Sequence, residues 1–84
     1  MLSYYIVCRS LTYAQRTATL FQRAGISARI LRSPKSIEGE GCSHCVKIAQ
    51  RNLPEALRLL KEAGLRPKQV FVSEGDGAFR EVVL

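Results

Sequence analysis

The sequence contains no apolar run that approaches the roughly 20 residues needed to cross a bilayer. Its first residues also lack the basic start and the long apolar stretch of a signal peptide. The chain has three cysteines, and an odd number cannot all pair within one chain, which argues against a secreted domain held by disulfides. We therefore expect a soluble protein of the reducing cytoplasm, with no membrane partner.

Runs of like charge are missing as well. Lysine and arginine number 13 against 7 aspartates and glutamates, a formal net charge of +6, but the basic residues are scattered along the chain. This spacing indicates a generally basic solvated surface, and the glycine and lysine pattern of an RNA-recognition strand is absent, so direct nucleic-acid binding is not expected. No paired carboxylates, Ser/His/Asp order or phosphate-cradling glycine loop is present, so hydrolytic catalysis has no candidate residues.

The pattern of apolar residues predicts six regular elements in a single domain spanning 1–84. Alternation predicts strands, and apolar residues at three- and four-residue steps predict helices. The predicted strands are 3–8, 26–32, 45–50 and 69–73, and the predicted helices are 11–24 and 53–63. Residues 33–45 form a cysteine-bearing loop, and 75–84 form a turn followed by a C-terminal strand or tail.

Local signals mark the ends of both helices. Ser10 is positioned to cap the first helix, and Asn52 with Glu55 forms a capping box before the second. Gly25 and Gly64 supply left-handed stops at the two C-termini.

An internal repeat supports this order of elements. Residues 20–26 match 59–65 at an offset of 39 residues, and the same offset carries 4–8 onto 43–47. Two split β-α-β units predict an α+β, ferredoxin-like β-α-β-β-α-β sandwich, which has a four-stranded antiparallel sheet with two helices on one face. A further C-terminal strand is an optional addition. The other sheet face would be open and could pair with a second copy of the chain.

The only cluster of chemically reactive residues is Gly41-Cys42-Ser43-His44-Cys45. A thiol reacts as its thiolate, and exposure beside cations favours that form. Cys42 lies among small residues that leave its sulfur accessible, so we expect it to be the reactive thiol, with Ser43 beside it. His44, Lys35 and Lys47 are the available cations. Cys8, inside an apolar strand, is expected to be a core residue.

The same cluster leaves a metal site open as an alternative. Alternation should turn Cys45 away from the helices and His44 to the opposite side. Zinc usually takes four ligands, so Cys42, Cys45 and His44 would need a second chain, whereas copper(I) could accept the two thiolates. Without such a site no cofactor is expected.

Several segments together resemble the selenium/sulfur carrier family of small bacterial proteins. They are the opening Tyr-Tyr-Ile-Val strand, the Ser-capped helix ending Ala-Gly-Ile, the segment Arg-Ser-Pro-Lys-Ser-Ile, the glycine- and serine-rich approach to Cys42, and Leu-Pro-Glu-Ala-Leu-Arg-Leu-Leu-Lys-Glu-Ala-Gly. Cys42 occupies the position of the family's cysteine. The chain departs from the family at Ser43, where glycine is usual, and Cys45 stands where a small residue or a second cysteine occurs.

The resemblance implies a carrier protein rather than a turnover enzyme. Cys42 would hold sulfur or selenium as a persulfide or selenium adduct, receiving it from a donor such as a cysteine desulfurase and passing it to an acceptor protein. Cys45 would resolve the adduct as a Cys42–Cys45 disulfide or assist by hydrogen bonding. A purely regulatory or interaction domain is the remaining alternative.

Overall fold

A computed structural model of the protein describes residues 2–32, 44–75 and 78–82. The described elements alternate between strands and helices and confirm the predicted α+β class. In chain order they are β1 (Ser3–Cys8), α1 (Leu11–Arg23), β2 (Arg29–Arg32), β3 (His44–Ala49), a 3₁₀ turn (Gln50–Asn52), α2 (Leu53–Ala63), β4 (Gln69–Ser73) and β5 (Arg80–Glu81). No helix within these ranges is long and apolar enough to span a membrane.

The strands form one sheet of five strands in the order β2-β3-β1-β4-β5. All four pairs of neighbours are antiparallel. The sheet therefore has five strands rather than four, because the optional C-terminal strand is present. That strand is short, and Arg80 pairs with Val72 while Glu81 pairs with Phe71 at the outer edge of β4.

The main core lies between the sheet and the helices. Alternate residues of β1 and β3 face the helices, including Ile6, Val46 and Ile48. Phe21 of α1 and Leu60 of α2 pack against them, and Phe21 is fully buried. Burying these side chains provides most of the driving force that holds the helices on this sheet face.

The two helices begin in different ways. The Ser10 hydroxyl accepts a hydrogen bond from the backbone N–H of Tyr13 at 3.3 Å, so the predicted cap of α1 is confirmed. The predicted capping box at Asn52 is wrong, because no side-chain capping bond forms there. Asn52 ends a 3₁₀ turn and already has helical backbone angles (φ −93°, ψ −5°), whereas a capping residue needs an extended backbone.

Both helices end in the same turn. Gly25 (φ +82°) and Gly64 (φ +71°) adopt the left-handed conformation that the sequence predicts. The following residue then bonds back into the last turn, from Ile26 N to Phe21 O at 2.9 Å and from Leu65 N to Leu60 O at 3.0 Å. These equivalent bonds confirm the offset of 39 residues for the helix ends.

The strands do not follow that offset. Tyr4 and Ile6 of β1 and Val46 and Ile48 of β3 all pack in the helix-facing core, so positions that share this face in the two strands are separated by an even number of residues. A shift of one residue turns every side chain of a strand to the opposite face, so an offset of 39 cannot relate these strands. Strand β2 also begins at Arg29 rather than at residue 26.

Candidate functional site

The candidate site lies where β2 ends and β3 begins. Arg32 is the last residue of β2, His44 is the first residue of β3, and the two are partners in the sheet. Residues 33–43, which carry Cys42, Lys35 and Ser43, lie outside the described residues. The segment therefore leaves the sheet at Arg32 and returns to it at His44, the neighbouring residue on the next strand.

Basic side chains surround this end of the sheet. His44 pairs with Cys8, the last residue of β1, so Arg9 comes directly after the same strand end. The backbone N–H of Lys68 donates to the Val7 carbonyl at 2.8 Å, which places Lys68 at the same end in front of β4. Arg9, Arg32 and Lys68 are exposed, and His44 is half-buried.

The first turn of α1 adds to this positive field. It follows β1 directly at the same end of the sheet, and it contains no acidic residue. The N-terminus of a helix carries a partial positive charge that stabilises nearby anions. The sequence reasoning named His44 but missed Arg9, Arg32 and Lys68, although the position of each beside a predicted strand end was a usable signal.

Cys45 lies on the sheet face away from the helices, as the alternation predicts. It pairs with Leu31 on one side and Val7 on the other. However, its side chain is 0% exposed, so the sulfur is not accessible in this structure.

A second, smaller apolar cluster covers Cys45. Cys45 and Val7 form its buried centre, with Tyr5, Leu31, Phe71 and Phe79 packed around them. Phe79 comes from the segment before β5, and its ring meets that of Tyr5 edge to face, with centroids 5.0 Å apart. The sheet face predicted to be open is therefore partly covered by the chain itself.

Cys8 is a core residue, as predicted. It is buried among the helix-facing side chains, and its Sγ lies 3.6 Å from the Ile6 carbonyl oxygen and 3.9 Å from Thr17 Oγ1. Burial raises the pKa of the Cys8 thiol above its ordinary value of 9.0, and the contact with Thr17 opposes only part of that shift. Cys8 is thus held as a protonated thiol at neutral pH.

The described residues include two members of the alternative metal site, His44 and Cys45, and its third member, Cys42, lies outside them. His44 pairs with Cys8, which faces the helices, whereas the next residue, Cys45, faces the other way. Within residues 2–32, 44–75 and 78–82, no group of three or more His, Cys, Asp or Glu side chains is placed to hold a metal ion.

Lys47, one of the predicted cations, lies on the same face as Cys45 but two residues further along β3. Its Nζ is 5.8 Å from the centroid of the Tyr5 ring, within the range of a cation–π contact. Its charge therefore lies away from the end of the sheet where the cysteine segment is attached.

Comparison with known proteins gives a family and a structural likeness. Residues 3–72 match the family model described as "Putative Se/S carrier protein-like". No curated protein matches the chain. A crystal structure of a functionally unknown protein from Pediococcus pentosaceus is 20% identical, with a TM-score of 0.49, over 96% of this chain and 77% of that one.

Proposed function

The chain belongs to the Se/S carrier protein-like family, and we propose that it carries sulfur or selenium on the Cys42 thiol and passes it to an acceptor protein. The observation that selects Cys42 is the burial of the other two cysteines. Cys8 and Cys45 are 2% and 0% exposed, so neither sulfur can meet a donor protein without local opening.

Loading is a thiol exchange reaction that needs no external oxidant. The Cys42 thiolate attacks the outer sulfur of a donor persulfide, such as that of a cysteine desulfurase. The sulfur–sulfur bond of the donor breaks, the donor leaves as a thiolate, and Cys42 becomes the persulfide. In the selenium version, selenium takes the place of the outer sulfur.

The positive end of the sheet supports this chemistry. A thiolate is favoured by nearby cations and by a helix N-terminus. Arg9, Arg32 and Lys68 border the strand ends from which the Cys42 segment starts and to which it returns, together with the first turn of α1. Lys35 and Ser43 belong to the same segment, and we assign them supporting roles in the reaction.

We assign Cys45 a second, slower step. Its thiolate would attack Cys42 of the persulfide, forming a Cys42–Cys45 disulfide and releasing hydrosulfide. Because Cys45 is buried in the cluster against which Tyr5, Leu31 and Phe79 pack, this step requires the beginning of β3 to open. The adduct should therefore persist long enough to reach an acceptor.

We also assign the domain to the ferredoxin-like class, with β5 as an addition. The sheet order β2-β3-β1-β4 with two helices on one face supports this assignment. The half-buried Leu31, Phe71 and Phe79 on the other face are the surface on which a second copy would dock. We place the carrier in the reducing cytoplasm, where a thiol of this kind stays available.

The test compares matched cysteine variants after anaerobic incubation with a cysteine desulfurase and cysteine. The Cys8→Ser/Cys45→Ser double variant should load one sulfur atom, whereas Cys42→Ser should load none, as measured by intact-mass spectrometry. Cys45→Ser alone should load normally and lose its adduct more slowly. Equal loading of Cys42→Ser would overturn the proposal, and stoichiometric zinc or copper in anaerobically purified protein would favour the metal alternative.

A further inference from the structure

A separate, polar pocket lies beside the opposite end of strands β1 and β3. It has a volume of about 240 Å³ and is lined by Ser3, Ser27, Arg29, Lys47, Ile48 and Ala49. Ala49 is the last residue of β3, and Ser3, its partner, is the first residue of β1. The pocket is thus at the end of these strands opposite to the end that holds His44.

Every polar side chain in this lining can donate a hydrogen bond, and none is a carboxylate. Arg29 brings a guanidinium, Lys47 an ammonium, and Ser3 and Ser27 bring hydroxyl groups. A set of charged and neutral donors without an acidic partner is the chemistry that binds oxyanions, because charged donors make the strongest hydrogen bonds to them.

The two cations are also placed against each other. Arg29 and Lys47 are direct partners in the β2–β3 pair, a position in which like charges destabilise a sheet. Within the described part of the chain, both ion pairs are formed by Arg58 with Glu55 and Glu62, so neither Arg29 nor Lys47 has an acidic partner there. The Lys47 ammonium lies over the ring of Tyr5, on the sheet face away from the helices.

The size of the pocket restricts the ligand. Pockets for drug-sized molecules and cofactors usually have volumes of roughly 300–1,000 Å³, so this one is smaller than that class. We propose that the pocket formed by Ser3, Ser27, Arg29 and Lys47 binds a small tetrahedral oxyanion of the inorganic phosphate type. The bound anion relieves the repulsion between Arg29 and Lys47.

The experiment is an NMR titration of the full chain with inorganic phosphate, with ionic strength held constant by chloride. We expect saturable shifts of the amides of Ser27, Arg29 and Lys47. Arg29→Gln and Lys47→Gln should each weaken the phosphate affinity about tenfold, as expected for the loss of one charge-assisted hydrogen bond. The matched control is Arg16→Gln, an exposed residue of α1 with the same change in charge, which should bind phosphate as the wild type does.

Three results would overturn the proposal. They are non-saturating shifts, an equal loss of affinity in the control, and much tighter binding of adenosine monophosphate than of inorganic phosphate, which would indicate a larger ligand. The amide spectrum of each variant reports whether it is folded. This site does not depend on Cys42, so Arg29→Gln should still load sulfur from a desulfurase.

Discussion

Two of the three cysteines have sulfur atoms that are shielded from solvent. Cys8 lies in the helix-facing core and Cys45 in the cluster on the opposite face, and both are buried. A buried thiol resists ionisation, since the charged thiolate loses its hydration. The burial of Cys8 and Cys45, more than the spacing of the Cys-x-x-Cys pair, is the reason for proposing Cys42 as the carrier residue.

The raised pKa of Cys8 predicts a loss of stability in alkali. The folded protein holds the Cys8 proton more tightly than the unfolded chain does. The stabilisation is therefore complete below the unfolded pKa and is lost as the pH rises through the folded pKa. The free energy of unfolding should fall more steeply above pH 9 in the wild type than in Cys8→Ala, as measured by urea denaturation at several pH values. Identical alkaline slopes would contradict this prediction.

At the scale of the elements, the different starts of the two helices give a matched prediction. Ser10→Ala removes the capping bond to Tyr13 and should lower the free energy of unfolding by about 1 kcal/mol. Asn52→Ala removes no capping bond and should cost less than half as much. Urea denaturation of both variants measures these free energies of unfolding. A larger decrease for Asn52→Ala than for Ser10→Ala would show that Asn52 does cap α2.

The segment before β5 gives the second prediction at this scale. Phe79 covers the cluster that contains Cys45, and its ring contacts Tyr5. Because Phe79 is only half-buried, Phe79→Ala should cost about 1–2 kcal/mol, less than a fully buried phenylalanine would.

The same variant should expose Cys45. Its alkylation in the folded protein should become faster in Phe79→Ala, whereas the control Phe79→Leu, which keeps an apolar side chain, should remain close to the wild type. Unchanged Cys45 labelling in Phe79→Ala would mean that this segment does not protect the thiol. Peptide mapping of the alkylated protein separates Cys8 from the other two cysteines, and fragmentation of the peptide that carries Cys42 and Cys45 assigns the label to one of them.

The elements also show what the sequence could and could not predict. The order of strands and helices, the Ser10 cap and the two glycine stops all follow from local patterns of three to seven residues. The failed capping box at Asn52 and the later start of β2 depend on how the chain enters each element, and residue type alone does not settle that. The failure of the 39-residue offset in the strands depends on which residues of β1 and β3 face the helices, and that is set by packing between distant parts of the chain.

The site was predictable to a similar extent. Alternation correctly placed Cys45 on the face away from the helices. Its burial could not be predicted, because the cluster that contains it is completed by Leu31 and Phe79 from distant parts of the chain. The predicted roles of Cys42, Lys35 and Ser43 stay predictions, since these residues lie outside the described ranges.

At the scale of the whole molecule, basic residues that contribute to the net charge of +6 form two groups at different places on the sheet. Arg9, Arg32 and Lys68 lie at the end of the sheet that holds the Cys42 segment, and Arg29 and Lys47 lie towards the other end. We interpret the first group as support for a thiolate and the second as an oxyanion site. The compact two-layer domain thus separates a covalent site from a binding site at opposite ends of the same strands.

The most direct test of the carrier role is intact-mass spectrometry of the wild-type protein after anaerobic incubation with a cysteine desulfurase and cysteine, followed by peptide mapping. We predict a gain of one sulfur atom, located on Cys42 by fragmentation of the peptide that carries both Cys42 and Cys45, and its loss on addition of a thiol acceptor. A protein that gains no sulfur, or gains it only on Cys8 or Cys45, would contradict the assignment of Cys42 as the carrier residue.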